Sequence, residues 1–360
     1  MRFVDEYRDP ELCAGYAGEI HRAATRGWTL MEVCGGQTHT IMRYGIGEMI
    51  AGAVELIHGP GCPVCVTPVS HIDAALEIAS IPGVALCTFG DMLRVPGSRG
   101  DLNSARARGG DVRMVYSPFD AVELAAKNPD TQVVMFAVGF ETTAPATAAA
   151  LLSARELRNF SVLCCHVLVP PAMEAVLSME GCGVQGFLAA GHVCTVTGWK
   201  PYSGIADRYG VPIVVAGFEP ADILQAVLMC VGQLEKGTHR VENQYTRSVS
   251  PHGNPAALAM MSRVFVTEDR DWRGMGVIPR SGLNLAMEWK TFDALERFGV
   301  SLSEPFHDKG CLAGRVLTGG LSPPDCPRFG SECTPDTPLG APMVSSEGAC
   351  AAHYRYGRKQ

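Results

Sequence analysis

Four cysteines near the C-terminal end carry the strongest chemical signal in the sequence. They lie in a segment rich in glycine and proline and are separated by 14, 6 and 16 residues: Cys311, Cys326, Cys333 and Cys350. Four thiolates on such a segment can hold a [4Fe–4S] cluster or a structural zinc ion. Zinc knuckles favour tight pairs with two intervening residues, and long unequal loops favour a cluster held at four corners. The alternative is a set of unrelated cysteines in a loose tail.

A second group of thiols is the pair Cys62 and Cys65 in the sequence GPGCPVC, on a turn after a short apolar run. Two cysteines at this spacing can cycle between a dithiol and a disulfide, and the first can have a lowered pKa. Pro63 stiffens the turn between them. The pair could instead be half of a zinc site, although no second close pair lies nearby in the sequence.

A third motif is CGGQTHT, which begins at Cys34 directly after a predicted strand. Ligands of parallel sheets bind at the carboxyl ends of strands, where Cys34 would lie. Gly35 and Gly36 would let the backbone approach a ligand closely, and His39 follows five residues after the cysteine. A thiolate and an imidazole together suit a soft or borderline metal such as low-spin iron. The residues alone leave a packed cysteine beside a surface histidine equally open.

Three further polar residues follow predicted strands. Glu141 in GFETT either accepts a proton or only complements the dipole of the helix that begins there. The same two readings apply to Asp91 in FGDMLRVPG and to His192 in AAGHVCTV. Cys194 and the pair at 164–165 lie near strand ends, where core packing is the simpler explanation.

Strands that could position these residues are predicted by eight short apolar runs. They lie at 30–33, 54–57, 84–88, 112–116, 132–138, 161–168, 186–190 and 212–216. Segments with helical spacing, such as 144–157 and 220–231, separate them. Strands that alternate with helices predict βα units and parallel sheets. Two groups of four such units predict two α/β domains of about 100 residues each.

The predicted fold class is therefore α/β, with two Rossmann-like parallel-sheet lobes and a C-terminal iron–sulfur domain. The predicted ranges are 1–26 for an N-terminal helical segment packing on the C-terminal domain, 27–128 for a lobe with Cys34 and the CxxC pair, 129–232 for a lobe with GFETT, and 233–360 for a linker, helices and the cluster domain. Residues 310–342 include six glycines and six prolines. Such a segment buries too little apolar surface to fold without an additional stabilising link between its parts. Metal coordination by the cysteines would provide that link.

Composition limits the classes of function. The chain has 360 residues, of which 47% are hydrophobic and 19% charged, and its formal net charge is −7. No basic stripe favours a nucleic-acid partner. The N-terminus is charged and lacks the apolar stretch of a signal peptide, and no membrane span is predicted. A cytoplasmic location is expected, where 14 cysteines indicate metal or redox chemistry rather than a disulfide framework.

The motifs together resemble those of one family. CGGQTHT, GPGCPVC, FGDMLRVPGS, VRMVYSP, GFETTAPATA, AAGHVCTVTG and the C-terminal cysteine series occur in this order from about residue 33 to residue 356. This set is similar to that of the HypD family of [NiFe]-hydrogenase maturation factors. The resemblance implies two α/β lobes and a cluster domain. It also implies a small partner, HypC, with which the protein holds an iron carrying two cyanides and one carbonyl. Cyanide would come from HypE as a thiocyanate, and HypC would connect the protein to the hydrogenase large subunit.

The resemblance also implies roles for individual residues. Cys34 would bind the transient iron with His39 nearby, and Cys62 and Cys65 would form the redox pair. Polar groups around the site would be Asp91, Glu141 and His192, and the [4Fe–4S] ligands would be Cys311, Cys326, Cys333 and Cys350. Two other functions stay open. A cluster-dependent thiol–disulfide oxidoreductase would use the CxxC pair and the cluster but not Cys34, and a structural zinc-binding adaptor would need only the C-terminal cysteines.

Overall fold

The computed structural model describes residues 5–304 and 310–357. Residues 1–4 of the predicted N-terminal segment, and 305–309 and 358–360 of the predicted cluster domain, lie outside the described residues. The strands are β1 Trp28–Glu32, β2 Val54–His58, β3 Val84–Thr88, β4 Asp111–Met114, β5 Gln132–Gly139, β6 Phe160–Val167, β7 Gly186–Ala190, β8 Ile213–Ala216, β9 Val241–Asn243, β10 Phe265–Trp272 and β11 Gly276–Leu285.

Helices connect most of these strands. They are α1 Pro10–Ala23, α2 Gly35–Tyr44, α3 Ile46–Met49, α4 Pro63–Val66, α5 Val69–Ala79, α6 Leu102–Ala107, α7 Pro118–Lys127, α8 Ala144–Ser153, α9 Val169–Leu177, α10 Gly191–Thr197, α11 Ser203–Tyr209, α12 Pro220–Glu235, α13 Pro255–Val264, α14 Ala294–Phe298, α15 Ala313–Leu317 and α16 Ala349–Tyr356. Within the described ranges, no helix is both long enough and apolar enough to cross a membrane.

The strands form two sheets, which define lobe A and lobe B. Lobe A has the order β2-β1-β7-β8-β9 with every pair parallel. Lobe B has the order β10-β11-β6-β5-β3-β4, in which β6-β5-β3-β4 are parallel and the β10–β11 hairpin is antiparallel. Central strands such as β5 and β6 are buried along almost their whole length, as expected for sheets covered by helices on both faces. The α/β class with two parallel-sheet lobes is confirmed.

The predicted lobe boundaries are wrong, because the two sheets interleave along the chain. The ranges 27–128 and 129–232 assign β3 and β4 to the first lobe, whereas both strands belong to the sheet of β5 and β6. Conversely, β7 and β8 complete the sheet that β1 and β2 begin. The hairpin β10–β11, placed in the last predicted range, closes one edge of lobe B. Runs of apolar residues predict where a strand lies but carry no information on its partner.

The N-terminal helix also packs differently from the prediction. Cys13, Ala17 and Ile20 of α1 are buried against α12 in the core of lobe A, not against the C-terminal domain. The spacing of these residues places them on one face of the helix. Asp9 caps the helix by accepting hydrogen bonds from two backbone N–H groups. The helix is therefore part of lobe A.

The C-terminal segment, residues 310–357, contacts both lobes. Its helix α16 packs against α2 of lobe A. From lobe B, Arg94 donates hydrogen bonds to the carbonyl oxygens of Val344 at 2.8 Å and Pro335 at 3.2 Å. Its two α-helices are short, as its many glycines and prolines predict. The segment thus joins the two lobes beside their carboxyl ends.

Candidate functional site in the cleft between two sheets

The candidate site lies where the order in which the chain adds strands reverses in each sheet. In lobe A the chain runs from β1 to β2 on one side and later returns as β7 on the other; in lobe B, β4 and β5 flank β3 in the same way. Open α/β sheets bind ligands at such switch points, outside the carboxyl ends of the strands. Cys34 follows β1, Asp91 follows β3, Glu141 follows β5 and His192 follows β7.

Cys34 is the residue before α2, and its thiol faces the first backbone N–H groups of that helix. Burial and the nearby Glu32 carboxylate raise the pKa of Cys34 to about 12, against the lowering effect of hydrogen bonds from the backbone of Gln37 and Gly36. The thiol is therefore protonated near neutral pH. A metal ion bound there would displace this proton, because the thiolate is the ligand form.

Beneath Cys34 lies Glu32, which is fully buried. Its Oε2 accepts a hydrogen bond from the Cys34 backbone N–H at 2.8 Å, and its Oε1 accepts from the Thr38 hydroxyl. Nδ1 of His58 lies 2.7 Å from the same Oε1, and Nε2 of His58 lies 3.1 Å from Nε2 of His353 on α16. Sequence reasoning missed Glu32, although a carboxylate at the buried end of an apolar strand is a usable signal.

The CxxC turn lies directly against the Cys34 loop. The Gly35 N–H donates to the Gly61 carbonyl oxygen at 2.9 Å, and a Cβ on Gly61 would lie 2.0 Å from the backbone nitrogen of Cys34. Cys62 precedes α4, and Cys65 within α4 is fully buried. Burial raises the pKa of Cys65 well above its ordinary value, with further contributions from a hydrogen bond and charge interaction with Cys62. The two thiols are thus adjacent.

Glu347 of the C-terminal segment completes the site, and sequence reasoning missed it as well. A Cβ on Gly35 would lie 2.6 Å from its Cβ, so the glycine allows this approach. Burial raises the pKa of Glu347, with Asp91 acting in the same direction and His39 in the opposite one. His39 also lies 3.4 Å, through Nδ1, from the carbonyl oxygen of Ser346. The structure therefore brings His39 and Asp91 close to Glu347, and the only sequence signal was an acidic residue just before the last cysteine.

Glu141 and His192 lie on further walls of the cleft. Glu141 is buried and accepts a hydrogen bond from the Val169 N–H at 3.1 Å, and burial raises its pKa to about 7. The Cys194 thiol lies near enough to Glu141 and Cys34 for both to raise its pKa, after the larger effect of burial. His192 stacks on Phe218, with ring centroids 3.8 Å apart, and burial lowers its pKa.

The four C-terminal cysteines line one small cavity together with apolar side chains. The lining includes Leu312, Val316, Phe329 and Met343 beside Cys311, Cys326, Cys333 and Cys350. Burial raises the pKa of Cys350, and the other three thiols raise it further. The Leu339 N–H lies 3.5 Å from the Cys333 sulfur, in position to donate to it.

This arrangement can be tested against the two metal groups that four thiols hold. Among residues 5–304 and 310–357, no three Cys, His, Asp or Glu side chains close on a point that could hold a single metal ion. A zinc ion needs such a point, whereas a [4Fe–4S] cluster takes one thiolate at each of four separate irons. Four cysteines around one largely apolar cavity supply the four separate thiolates that a [4Fe–4S] cluster takes, so these residues fit that group.

The three thiol groups form a connected series. Cys350 lies in the first turn of α16, which packs against the helix that Cys34 precedes. The pKa of Cys65 responds to Cys350 as well as to Cys62. The CxxC pair is thus near both Cys350 and the Cys34 loop. Such an arrangement can hold a soft metal ion at one end and exchange electrons from the other.

Comparison with known proteins gives matches over nearly the whole chain. Residues 11–357 match the HypD family model, described as the hydrogenase formation hypA family. The chain is 49% identical to hydrogenase maturation factor HypD of Rhodobacter capsulatus, over 99% of this chain and 98% of that protein. It is 49% identical to HypD of Azotobacter vinelandii, over 100% and 98% of the two chains, and 47% identical to HypD of Escherichia coli K12, over 100% and 99%. The chain therefore belongs to the HypD family of hydrogenase maturation factors.

Proposed function

We propose that this protein is the scaffold on which the iron of a [NiFe]-hydrogenase receives its two cyanides and one carbonyl. It would act in the cytoplasm with HypC, receive cyanide from HypE, and pass the iron through HypC to the hydrogenase large subunit. Cys34 is the proposed thiolate ligand of this iron substrate. The observation that carries the proposal is the position of Cys34, at the switch point of lobe A and in contact with the turn that bears the CxxC pair.

The ligand chemistry supports Cys34. Cyanide and carbonyl are strong-field ligands that favour low-spin iron, and a soft thiolate suits such an ion. Because the pKa of Cys34 is raised to about 12, iron binding must release its proton. Burial raises the pKa of Glu141 to about 7, so this carboxyl can accept a proton near neutral pH, and burial also raises the pKa of Glu347 beside His39.

The CxxC pair supplies the two electrons that cyanide transfer requires. A protein thiocyanate, RSCN, and two thiols yield RSH, one disulfide, a cyanide ion for the iron and one proton. The S–CN bond breaks, the Cys62–Cys65 disulfide forms, and the two electrons come from the dithiol. Cys62 and Cys65 are suited to this step because their thiols are already in contact.

The proposed resident cofactor is a [4Fe–4S] cluster held by Cys311, Cys326, Cys333 and Cys350. When bound, it supplies electrons close to the CxxC pair. The shared cavity and the electrostatic link between Cys350 and Cys65 support this placement.

The test is an infrared spectrum of the protein purified anaerobically with HypC. The wild type should show cyanide and carbonyl stretches, and Cys34→Ala should lose them while keeping the cluster. Cys13→Ala is the matched control, because Cys13 is a buried cysteine on α1, packed against α12. Full-strength stretches in Cys34→Ala would refute the role of Cys34.

A second candidate function is a cluster-dependent thiol–disulfide oxidoreductase, which the contact between Cys62 and Cys65 favours. This function needs the CxxC pair but not Cys34 or an added iron. Two results together would favour the oxidoreductase over the scaffold function. Cys34→Ala would reduce a protein disulfide at the wild-type rate, and the wild type would show no cyanide stretches.

A further inference from the structure

His58 and His353 face each other at the contact between lobe A and the C-terminal segment. Their Nε2 atoms are 3.1 Å apart, and their rings lie 5.1 Å apart between centroids with an interplanar angle of 80°. His58 ends β2, whereas His353 lies on α16, so the pair joins two elements almost 300 residues apart in the chain. Neither residue belongs to the thiol series described above.

The separation of the two nitrogens is close to that of two histidine ligands on one metal ion. Two imidazole nitrogens at about 2.0–2.1 Å from a tetrahedral ion are roughly 3.3 Å apart. The nitrogen separation therefore needs to grow by only about 0.2 Å, and the rings need to turn so that both lone pairs point at the ion. A hydrogen bond between the two nitrogens at 3.1 Å requires that one of them carries a hydrogen and the other does not.

The surroundings prepare both rings as ligands. Nδ1 of His58 lies 2.7 Å from the buried Glu32 carboxylate, and a proton on Nδ1 that donates to this carboxylate leaves the Nε2 lone pair facing His353. Metal-binding histidines are commonly oriented by a carboxylate in this way. For His353, the contact at 3.1 Å aims its Nε2 at Nε2 of His58.

A cavity provides access and room for further ligands. Both histidines line a cavity of about 330 Å³ between β2, α2 and the C-terminal segment. Glu48, Glu55 and Ser322 also line it, beside apolar side chains. Since the described residues include no third side chain that closes on the pair, at least two coordination positions would be filled by water or an incoming ligand. Such an open site suits reversible binding.

We propose that His58 and His353 form a metal site, separate from the cysteines, that takes a divalent first-row transition-metal ion. Two neutral imidazoles with water suit ferrous, cobalt, nickel and zinc ions rather than magnesium or calcium. Resting on the proposed function, ferrous iron is the physiological ion, held at the cavity on its way to Cys34. Glu32 connects the two positions, because it binds both His58 and the backbone of Cys34.

The experiment is anaerobic equilibrium dialysis of the full, cluster-loaded chain against Co²⁺, with the visible spectrum of the bound ion as a second readout. The wild type should bind one more Co²⁺ than His353→Phe, and that ion should show nitrogen and oxygen ligation without sulfur-to-cobalt bands. His239→Phe is the matched control, because His239 is exposed, and it should behave as the wild type. His58→Gln should match His353→Phe, with folding of each variant checked by circular dichroism.

Equal Co²⁺ stoichiometry in the wild type and in folded His353→Phe would overturn the site. So would an extra ion whose spectrum shows thiolate ligation. The infrared test of the proposed function is independent of this result. If the wild type shows no cyanide stretches but still binds the extra Co²⁺, the metal site stands and only its assignment to iron is refuted. Each variant that lacks one ring, His353→Phe or His58→Gln, should bind Co²⁺ at this site at least about ten-fold more weakly than the wild type does.

Discussion

The buried carboxyl of Glu141 allows a quantitative prediction on the change Glu141→Gln. Glutamine has the shape of glutamate and can accept the hydrogen bond from the Val169 N–H, but it does not titrate. The substitution therefore removes the charge while keeping the packing. Its effect on stability should depend on pH in a defined direction.

The magnitude follows from the pKa. Burial raises the pKa of Glu141 from 4.5 to about 7 in the folded protein. Below pH 4.5 the carboxyl is protonated in both the folded and unfolded states; above pH 7 it is ionised in both, and the folded state carries the desolvation penalty. Stability contributed by the protonated form is thus lost as pH rises between these values, by about 3 kcal/mol. Glu141→Gln should escape this loss.

The assay is urea denaturation of the wild type and of Glu141→Gln at about pH 4.5 and about pH 8. The difference in free energy of unfolding between variant and wild type should move by about 3 kcal/mol in favour of the variant as pH rises. Glu156→Gln is the control, because Glu156 is exposed, and its difference should stay constant. A pH-independent difference for Glu141→Gln would show that the carboxyl is solvated or paired in the folded protein.

Three further outcomes are expected. Mild reduction should change the wild-type thiol count by two, and Cys62→Ser should abolish the change; a constant wild-type count would remove the redox role. Cys333→Ala should lose the brown colour of the cluster and become protease-sensitive beyond about residue 310 while both lobes survive, and a resistant tail would contradict this. Gly61→Ala should lower the free energy of unfolding by about 1–3 kcal/mol, because its Cβ would lie 2.0 Å from the backbone nitrogen of Cys34. Gly47→Ala is the control, since the space around Gly47 is open, and it should leave the free energy of unfolding unchanged. Equal stability of the two variants would refute the clash.

The eight predicted strands were all confirmed, because most of them are continuous apolar runs that the sheets bury, such as β3, β6 and β7. The edge strand β4 is largely exposed and was located by a shorter apolar signal. Strands β9, β10 and β11 were not predicted, since charged or polar residues interrupt the apolar runs there, as in Phe265–Trp272. The interleaving of the two sheets was not predictable either. A strand such as β1 requires neighbours on both edges, but its sequence does not specify that one of them lies more than 150 residues further along.

The same limit applies to the candidate site. Cysteines and histidines placed just after apolar runs were recognisable, because the carboxyl ends of parallel strands are where ligands bind. Glu32 and Glu347 were missed because their importance comes from contacts supplied by distant parts of the chain. Glu347 reaches the site only because Gly35 leaves space for it, and this pairing has no signature in either local sequence.

The interleaved sheets have a consequence for synthesis on the ribosome. β1 and β2 emerge early, but their sheet is completed only by β7, β8 and β9, which end at Asn243. At about 5–20 residues per second, the nascent chain carries β2 for roughly 6–25 s before β7 is made. The parallel core of lobe B, β3 to β6, is complete by Val167 and is free to fold first. The order of synthesis therefore allows folding to begin in the middle of the chain, and the segment that brings Glu347 to the Cys34 turn is made only when translation is nearly finished.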